Sequence, residues 1–468
     1  MIYKKYMLTS TPPLSSAEVY AWISTFTNLE KGHGQREFNL ESINSLAEAA
    51  GHPERCAPSF HVAGSKGKGS VTGMIAAILG ASGIKTALYS SPHVSDFRER
   101  ISLWHGFFDE ETYALAGEEL MSLVDRQSPE NREKSSFFEL ITLWFFLCAR
   151  RALCGAMAVE TGMGGRLDAT NILDPLVSVI TLIELEHTEY LGNTISKIAG
   201  EKAGIIKPGR VLVLAEQADE ALGVFREHAA SRKSPLLYFP DCAEVRKTSI
   251  RREGTSFTLV LKNPMATAET IHDLFVPIPG EVQAKNAGLA VLAVRAAYPH
   301  IGVDKIRKGL AGFTLPARFE RVSDKPPLVI DGAHTPRSVE LCLKTFTSLY
   351  GDGGILIFGC VEGKDVESMA ELCVPHFSRI FVTTPGIFKK SSPEEVYAAF
   401  VREAGGIPRP QEILFVPKTG EALEKAVNLA LGQGLPILGT GSFYLAGEIK
   451  QYLNFILDQF QGFMIPSR

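Results

Sequence analysis

The chain has 468 residues, more than one hydrophobic core usually organises, so two or three domains are expected. Hydrophobic residues make up 45%, charged residues 21%, and the formal net charge is −4. That balance belongs to a soluble globular protein and excludes a broad basic face for nucleic acid.

The seven cysteines (Cys56, Cys148, Cys154, Cys242, Cys342, Cys360 and Cys373) are odd in number and scattered, with no C-x-x-C pair. They read as thiols in a reducing compartment rather than as a zinc or redox centre. Residues 1–13 carry Lys4 and Lys5 but no apolar core long enough for a signal peptide. Apolar runs such as 140–149 fall well short of the roughly 20 residues a membrane span needs. A cytoplasmic location is expected, with neither membrane nor nucleic acid among the partners.

Ser15 followed by Glu18 is a capping-box signature, opening a helix through Val19, Trp22 and Ile23, and a second helical pattern covers 40–50. From residue 60 short apolar runs alternate with amphipathic stretches. Strands are expected at 60–63, 86–89, 156–159 and 177–183, with helices from the glycine loop to about 82, at 138–149, and ending before Pro208. This alternation predicts a parallel sheet covered by helices. Segments 245–252 and 256–261, around an Arg-Glu-Gly turn, predict a small antiparallel hairpin, and a helical pattern resumes over 284–297. The stretch 314–327, with Pro316, Pro326 and Pro327 among charged residues, is the expected linker. A second α/β alternation follows, with strands at 328–330, 355–358, 380–383, 413–416 and 436–439 and helices at 338–349 and 421–431.

Gly64-Ser65-Lys66-Gly67-Lys68-Gly69-Ser70 follows the first of these strands and has the composition of a phosphate cradle. Its glycines let backbone N–H groups approach an oxyanion, Lys68 adds a point charge, and Ser70 offers a hydroxyl to magnesium. The helix opening near Gly69 turns its positive end to the phosphates. The spacing departs from G-x-x-x-x-G-K-[ST]: Gly64 stands three residues before Gly67, and Gly69 separates the lysine from the serine. A Gly/Lys-rich surface turn is the plain alternative.

Ligands of open parallel sheets gather beyond the carboxyl ends of the strands. There stand Glu160, followed by the glycine-bearing loop 161–168, and Glu184, Glu186 and His187 beyond the strand at 177–183. A helix cap for Glu160 and an acidic surface loop for Glu184 and Glu186 are the alternatives. On a helix beginning near Thr194, the positions Ile195, Ala199, Lys202 and Ile206 share one stripe. A buried Lys202 would have a lowered pKa and a nucleophilic amine, whereas a lysine that only buries its stem would snorkel to water. Asp331-Gly332-Ala333-His334 closes the strand at 328–330, with Arg318 in the linker able to reach phosphates across an interdomain gap.

The ordered segments AGSKGKGS, SSPHVSDFRERI, ETGMGGRLDATN, EHTEYLGNTISKIAGEKAGIIKPG, VQAKNAGLA, DGAH and GTGSFYLAGEI resemble the folylpolyglutamate synthase/dihydrofolate synthase family of Mur-type ligases, over about residues 22–449. The resemblance implies an α/β protein: a P-loop ATPase-like parallel-sheet domain that binds ATP and folate, 1–316, followed by a smaller Rossmann-like glutamate ligase domain, 317–468, with the active site between them. It implies that Lys68 contacts the β- and γ-phosphates within a cradle of Gly64, Ser65, Lys66, Gly67, Gly69 and Ser70. Ser91 and Glu160 would hold a first Mg2+. Glu160, His187 and Lys202, the lysine carried as a CO2-derived carbamate, would hold a second. By the same resemblance Asn286, Arg318, Asp331 and His334 contact the nucleotide, Phe138 and Asp168 hold the pterin, and Ser442 meets the incoming glutamate.

Three departures from the family pattern stand out. Ser65-Lys66 replaces the usual Thr-Asn, Glu186 replaces an aspartate before the metal histidine, and Thr335 replaces the asparagine after Asp-Gly-Ala-His. The implied activity is ATP-dependent addition of L-glutamate to dihydropteroate, to folates, or to both, through an acyl phosphate, by a monomer. Loop 166–171 favours a bifunctional bacterial-type enzyme. Another Mur-type amino-acid ligase and a P-loop ATPase that forms no amide are the alternatives.

Overall fold

A computed structural model describes residues 14–28, 39–262, 268–386, 389–405 and 412–461, with side chains to Leu453. The amino-terminal stretch read above for a signal peptide lies outside the described residues. Seven strands form the first sheet: β1 (Ser59–Ala63), β2 (Thr86–Tyr89), β3 (Ile101–Leu103), β4 (Ala156–Glu160), β5 (Val177–Ile180), β6 (Val211–Leu214) and β7 (Leu236–Tyr238). Their order is β3-β2-β4-β1-β5-β6-β7, parallel throughout except for β3, which runs antiparallel to β2. β1, which feeds the glycine loop, therefore lies between β4 and β5, and those two deliver Glu160 and the 181–187 loop to its sides.

Period-two alternation sorts this sheet onto two helical layers. Phe60, Val62, Ala156, Ala158, Val177 and Val179 pack with Val71, Met74 and Ile75 of the helix Lys68–Ala81 and with the helix Glu281–Ala297. Met157, Val159, Ala87 and Tyr89 pack with Leu140, Trp144 and Phe145 of the helix Phe137–Arg151. Each large apolar side chain sealed in this way contributes about 1.5–3 kcal/mol. The capping box read at Ser15 and Glu18 is formed, and a second one, Ser136 with Glu139, starts the helix Phe137–Arg151.

His61 alternates with Phe60 and Val62 and is fully buried, and burial pushes its pKa down to about 3. An unfolded imidazole takes up a proton below about 6.5, whereas folded His61 stays neutral until about 3. This group therefore withdraws stability as pH falls from 6.5 towards 3, at up to about 1.4 kcal/mol per pH unit. His61→Gln is expected to flatten the acid limb of a urea-unfolding pH series by one proton relative to wild type. Equal slopes would contradict this account of His61.

β8 (Ala243–Arg251), β9 (Gly254–Leu261) and β10 (Glu269–Val276) form a three-stranded antiparallel sheet. The hairpin was legible in sequence; its third strand was not. The last sheet contains β11 (Glu320–Asp324), β12 (Pro327–Ile330), β13 (Gly354–Phe358), β14 (Phe377–Val382), β15 (Glu412–Phe415) and β16 (Ile437–Thr440), in the order β11-β12-β16-β13-β14-β15. β11 corrects the linker expectation. Residues 320–324 pair antiparallel with β12 as an edge strand, an edge position being where charged and proline-flanked sequence is tolerated. The expected strand at 177–183 is also shorter, because β5 ends at Ile180 and Leu182 turns out to bridge Lys66 of the glycine loop. Among the described residues no helix is long and apolar enough to cross a membrane.

Candidate active site

The glycine loop begins where β1 ends. Ser65 and Lys66 donate their backbone N–H groups to the Leu182 carbonyl oxygen at 2.9 and 3.2 Å, and Ser65 Oγ donates to the Glu184 carbonyl oxygen at 2.9 Å. Gly67 caps the helix Lys68–Ala81 with φ +88°, and a Cβ there would stand 2.7 Å from Asn286 Oδ1. Only glycine fits both the left-handed backbone and that approach. Asn286, buried on the helix Glu281–Ala297, is thereby placed against the loop. Lys68 Nζ donates to the Gly64 carbonyl oxygen at 3.0 Å, which folds the lysine back over its own loop.

Glu160, the last residue of β4, is 4% exposed and accepts a hydrogen bond from the Ser91 backbone N–H at 3.2 Å. Gly69 comes close behind it: a Cβ at that position would lie 3.3 Å from Glu160 Oε2. Burial raises the Glu160 pKa, opposed by the charges of Lys68 and Arg318. A buried carboxylate that leans on cations for its ionised form is a ready site for another cation. Phe138 projects from the Phe137–Arg151 helix and sits over Gly162, where a Cβ would lie 2.3 Å from its Cζ.

Lys202 is 1% exposed on the helix Ile195–Ala203, which settles the stripe in favour of burial over snorkelling. Its Nζ donates to the Gly64 carbonyl oxygen at 2.8 Å and to Glu186 Oε1 at 2.9 Å. Burial lowers its pKa, against the upward pull of Glu186. Burial alone would raise Glu186, but Lys68 and Lys202 overcome that and hold it below the usual carboxylate range. His187 follows at the exposed end of this loop with φ +47°.

At the end of β12, Asp331 accepts from the Phe319 and Ala333 backbone N–H groups at 2.7 and 2.8 Å. The Arg318 guanidinium lies 4.1 Å over the Phe443 ring, and its charge acts on both Asp331 and Glu160. That double influence ties β12's loop to β4's. His334 Nδ1 is 2.8 Å from the Gly332 carbonyl oxygen. Burial, with Lys364 and Lys66 nearby, pushes its pKa down to about 3. Ser442 is buried, and its Oγ accepts the Tyr444 backbone N–H at 3.0 Å as the last helix begins.

Lys364 was missed in the sequence. It stands in the loop after β13, half-buried, and its charge bears on Glu186, His187 and His334. The strand-end rule that picked out Asp331 would have found it. Asp168, which the resemblance assigns to the pterin, is buried and hydrogen-bonded by the chain around it. Its Oδ2 accepts the Met163 N–H and its Oδ1 the Thr170 N–H and hydroxyl, so the carboxylate is engaged by its own loop.

The sequence matches the Mur ligase middle domain over residues 62–294 and the Mur ligase glutamate ligase domain over 317–443. It is 32% identical over 450 residues to the folylpolyglutamate synthase of Lacticaseibacillus casei, covering 94% of this chain and 99% of that one. It is 29% identical over 439 residues to the dihydrofolate synthase/folylpolyglutamate synthase of Bacillus subtilis, covering 90% and 97%. Among solved structures, Mycobacterium tuberculosis folylpolyglutamate synthase complexed with ADP superposes with a TM-score of 0.83 at 28% identity, over 93% of this chain and 98% of that one. With the glycine loop bonded to Lys202 and with Lys68 and Arg318 in electrostatic reach of Glu160 and Asp331, these likenesses lead to one conclusion: the chain belongs to the folylpolyglutamate synthase/dihydrofolate synthase family of Mur ligases.

Proposed function

We propose that this chain is an ATP-dependent ligase that joins L-glutamate to the carboxylate of dihydropteroate and of reduced folates. The observation that carries the reading is the meeting, at the end of β1, of a lysine-bearing glycine loop with a buried glutamate and with cations from the facing sheet. Such a place collects a triphosphate and a second anion. A carboxylate oxygen of the acceptor attacks the γ-phosphorus and ADP departs. The amine of glutamate then attacks the acyl carbon, phosphate leaves, and the ammonium protons pass to water.

The chain's residues bind and align; no nucleophilic side chain is required. Lys68 steadies the transferring phosphoryl group, the Gly64–Ser70 amides cradle the others, and Arg318 reaches the phosphates from the opposite side. Asn286, Asp331 and His334 frame the nucleotide. Phe138 gives the pterin a flat apolar face. Ser442 and Lys364 border the entry of glutamate, where a lysine suits its carboxylates.

The donor set fits Mg2+. Glu160 is a buried carboxylate with a single backbone hydrogen-bond donor. A buried carboxylate of this kind is the oxygen donor that Mg2+ takes alongside waters and substrate phosphate oxygens. Ser91 and Glu160 would hold one ion, and Glu160, His187 and a carbamylated Lys202 a second; bound there, they offset the repulsion between phosphate and carboxylate.

The test is incubation with Mg-ATP, L-glutamate and either dihydropteroate or tetrahydrofolate, followed by product mass. One added glutamyl unit on each acceptor is expected, with phosphate release that requires both acceptor and glutamate. A gain on neither would remove the folate reading, and acceptor-independent phosphate release would point to an ATPase.

A further inference from the structure

The loop 161–168 joins Glu160 to Asp168 and backs Phe138, yet its own bonding is unequal along its length. Its far end is tied to the Lys202 helix: the Arg166 N–H donates to the Glu201 carbonyl oxygen at 2.7 Å, and Asn171 Nδ2 bonds the Arg166 and Gly204 carbonyl oxygens at 2.9 and 3.2 Å. Its near end, residues 162–164, is held by Asp168: the Met163 N–H donates to Asp168 Oδ2 at 2.9 Å, and the Gly162 backbone also hydrogen-bonds the Asp168 carboxylate. Gly162 within that near end is what Phe138 rests on. The place of the aromatic face thus depends on where Asp168 is held.

What holds Asp168 starts inside the sheet. His61 of β1 lies beside Val159 of β4 and Ser178 of β5 and is fully buried, as is Thr170. His61 Nε2 is 2.7 Å from Thr170 Oγ1, and the Thr170 hydroxyl in turn bonds Asp168 Oδ1, which also takes the Thr170 N–H at 3.1 Å. The single hydroxyl proton fixes the direction of the chain. With Asp168 accepting backbone N–H groups on both oxygens, the Thr170 hydroxyl donates to it, so Oγ1 accepts from the His61 Nε2–H. His61 is then the neutral Nε2–H tautomer, and its Nδ1 is left buried without a partner. A histidine in an apolar layer with one nitrogen unsatisfied is costly, and the bond it makes ends in the loop.

We propose that His61 and Thr170 are positioning residues for the acceptor: the buried chain His61–Thr170–Asp168 sets the loop 162–164, and through it the Phe138 face against which the flat ring of the acceptor lies. The inference rests on the acceptor placement proposed above. It separates two sets of contacts that share β1, since the strand's end serves the nucleotide and His61 serves the acceptor.

Steady-state kinetics of the full-length enzyme, varying Mg-ATP and the pteridine acceptor separately, provide the test. KM is independent of the folded fraction, so a partly unfolded variant still reports. Thr170→Val and His61→Leu are expected to raise the acceptor KM about tenfold, the equivalent of one broken buried hydrogen bond. The KM for Mg-ATP should stay within about twofold, since the glycine loop keeps its own hydrogen bonds. Thr170→Ser, which retains the hydroxyl, should restore the acceptor KM. A Thr170→Val enzyme with an unchanged acceptor KM, or with both KM values raised alike, overturns the proposal. Phe138→Ala supplies the reference. If it raises the acceptor KM and Thr170→Val does not, the positioning chain fails alone; if Phe138→Ala changes nothing, the acceptor placement itself is wrong and the chain fails with it.

Discussion

Lys68→Ala is expected to lower glutamate addition by at least about a thousandfold in protein that remains folded, the upper end of what one preorganised electrostatic contact is worth. Lys68 Nζ already lies at the mouth of the glycine loop, 3.0 Å from the Gly64 carbonyl oxygen. Its charge is also what Glu160 and Glu186 lean on. Removal therefore takes away the phosphate contact and unbalances two carboxylates beside it. Glu160→Ala should lose activity to the same order for the complementary reason, while its fold is not weakened. Glu160 is a buried acid whose charged form burial disfavours, so deleting it relieves a cost that function imposes. Product mass and phosphate release measure the first effect, and a thermal melt the second. Near-normal turnover in either variant would remove the site assignment.

How far sequence carries the site depends on which kind of signal each residue gives. Glu160, Asp331 and the glycine loop were legible because each ends a short apolar run, and each parallel sheet gathers the ends of its own strands along one edge. Lys202 was legible only in part. Helical periodicity puts it on the inward stripe, but it cannot say that the Gly64 carbonyl oxygen and Glu186 wait there, since those partners stand on the loops after β1 and β5 and meet the helix only in the folded chain. β11 was hidden for a related reason. Its charges and flanking prolines look like a linker, and pairing with β12 is a long-range event that local pattern does not encode. The setting of Asp168 was not legible at all: its neighbour Thr170 is ordinary in sequence, and His61 matters only once β1 is placed under that loop.

Lys202→Arg is the variant that separates the two states open to this lysine. As an ammonium, Lys202 bonds the Gly64 carbonyl oxygen and Glu186, a pair that arginine's permanent charge could imitate. As a carbamate it becomes an anion, formed when the neutral amine attacks CO2 and sheds a proton, and arginine cannot follow because its guanidinium stays protonated. Burial lowers the Lys202 pKa and so supplies the neutral amine. The anionic product would be repelled by both present partners, so it persists only where a divalent cation compensates. Lys202→Arg is accordingly expected to lose ligation by about a thousandfold, as a lost electrostatic contact at the reacting phosphoryl would. Wild-type enzyme in CO2-depleted buffer should slow and recover with bicarbonate, a measurement free of any folding defect in the variant. Full activity in the arginine variant, together with indifference to bicarbonate, would establish the ammonium paired with Glu186 as the working form.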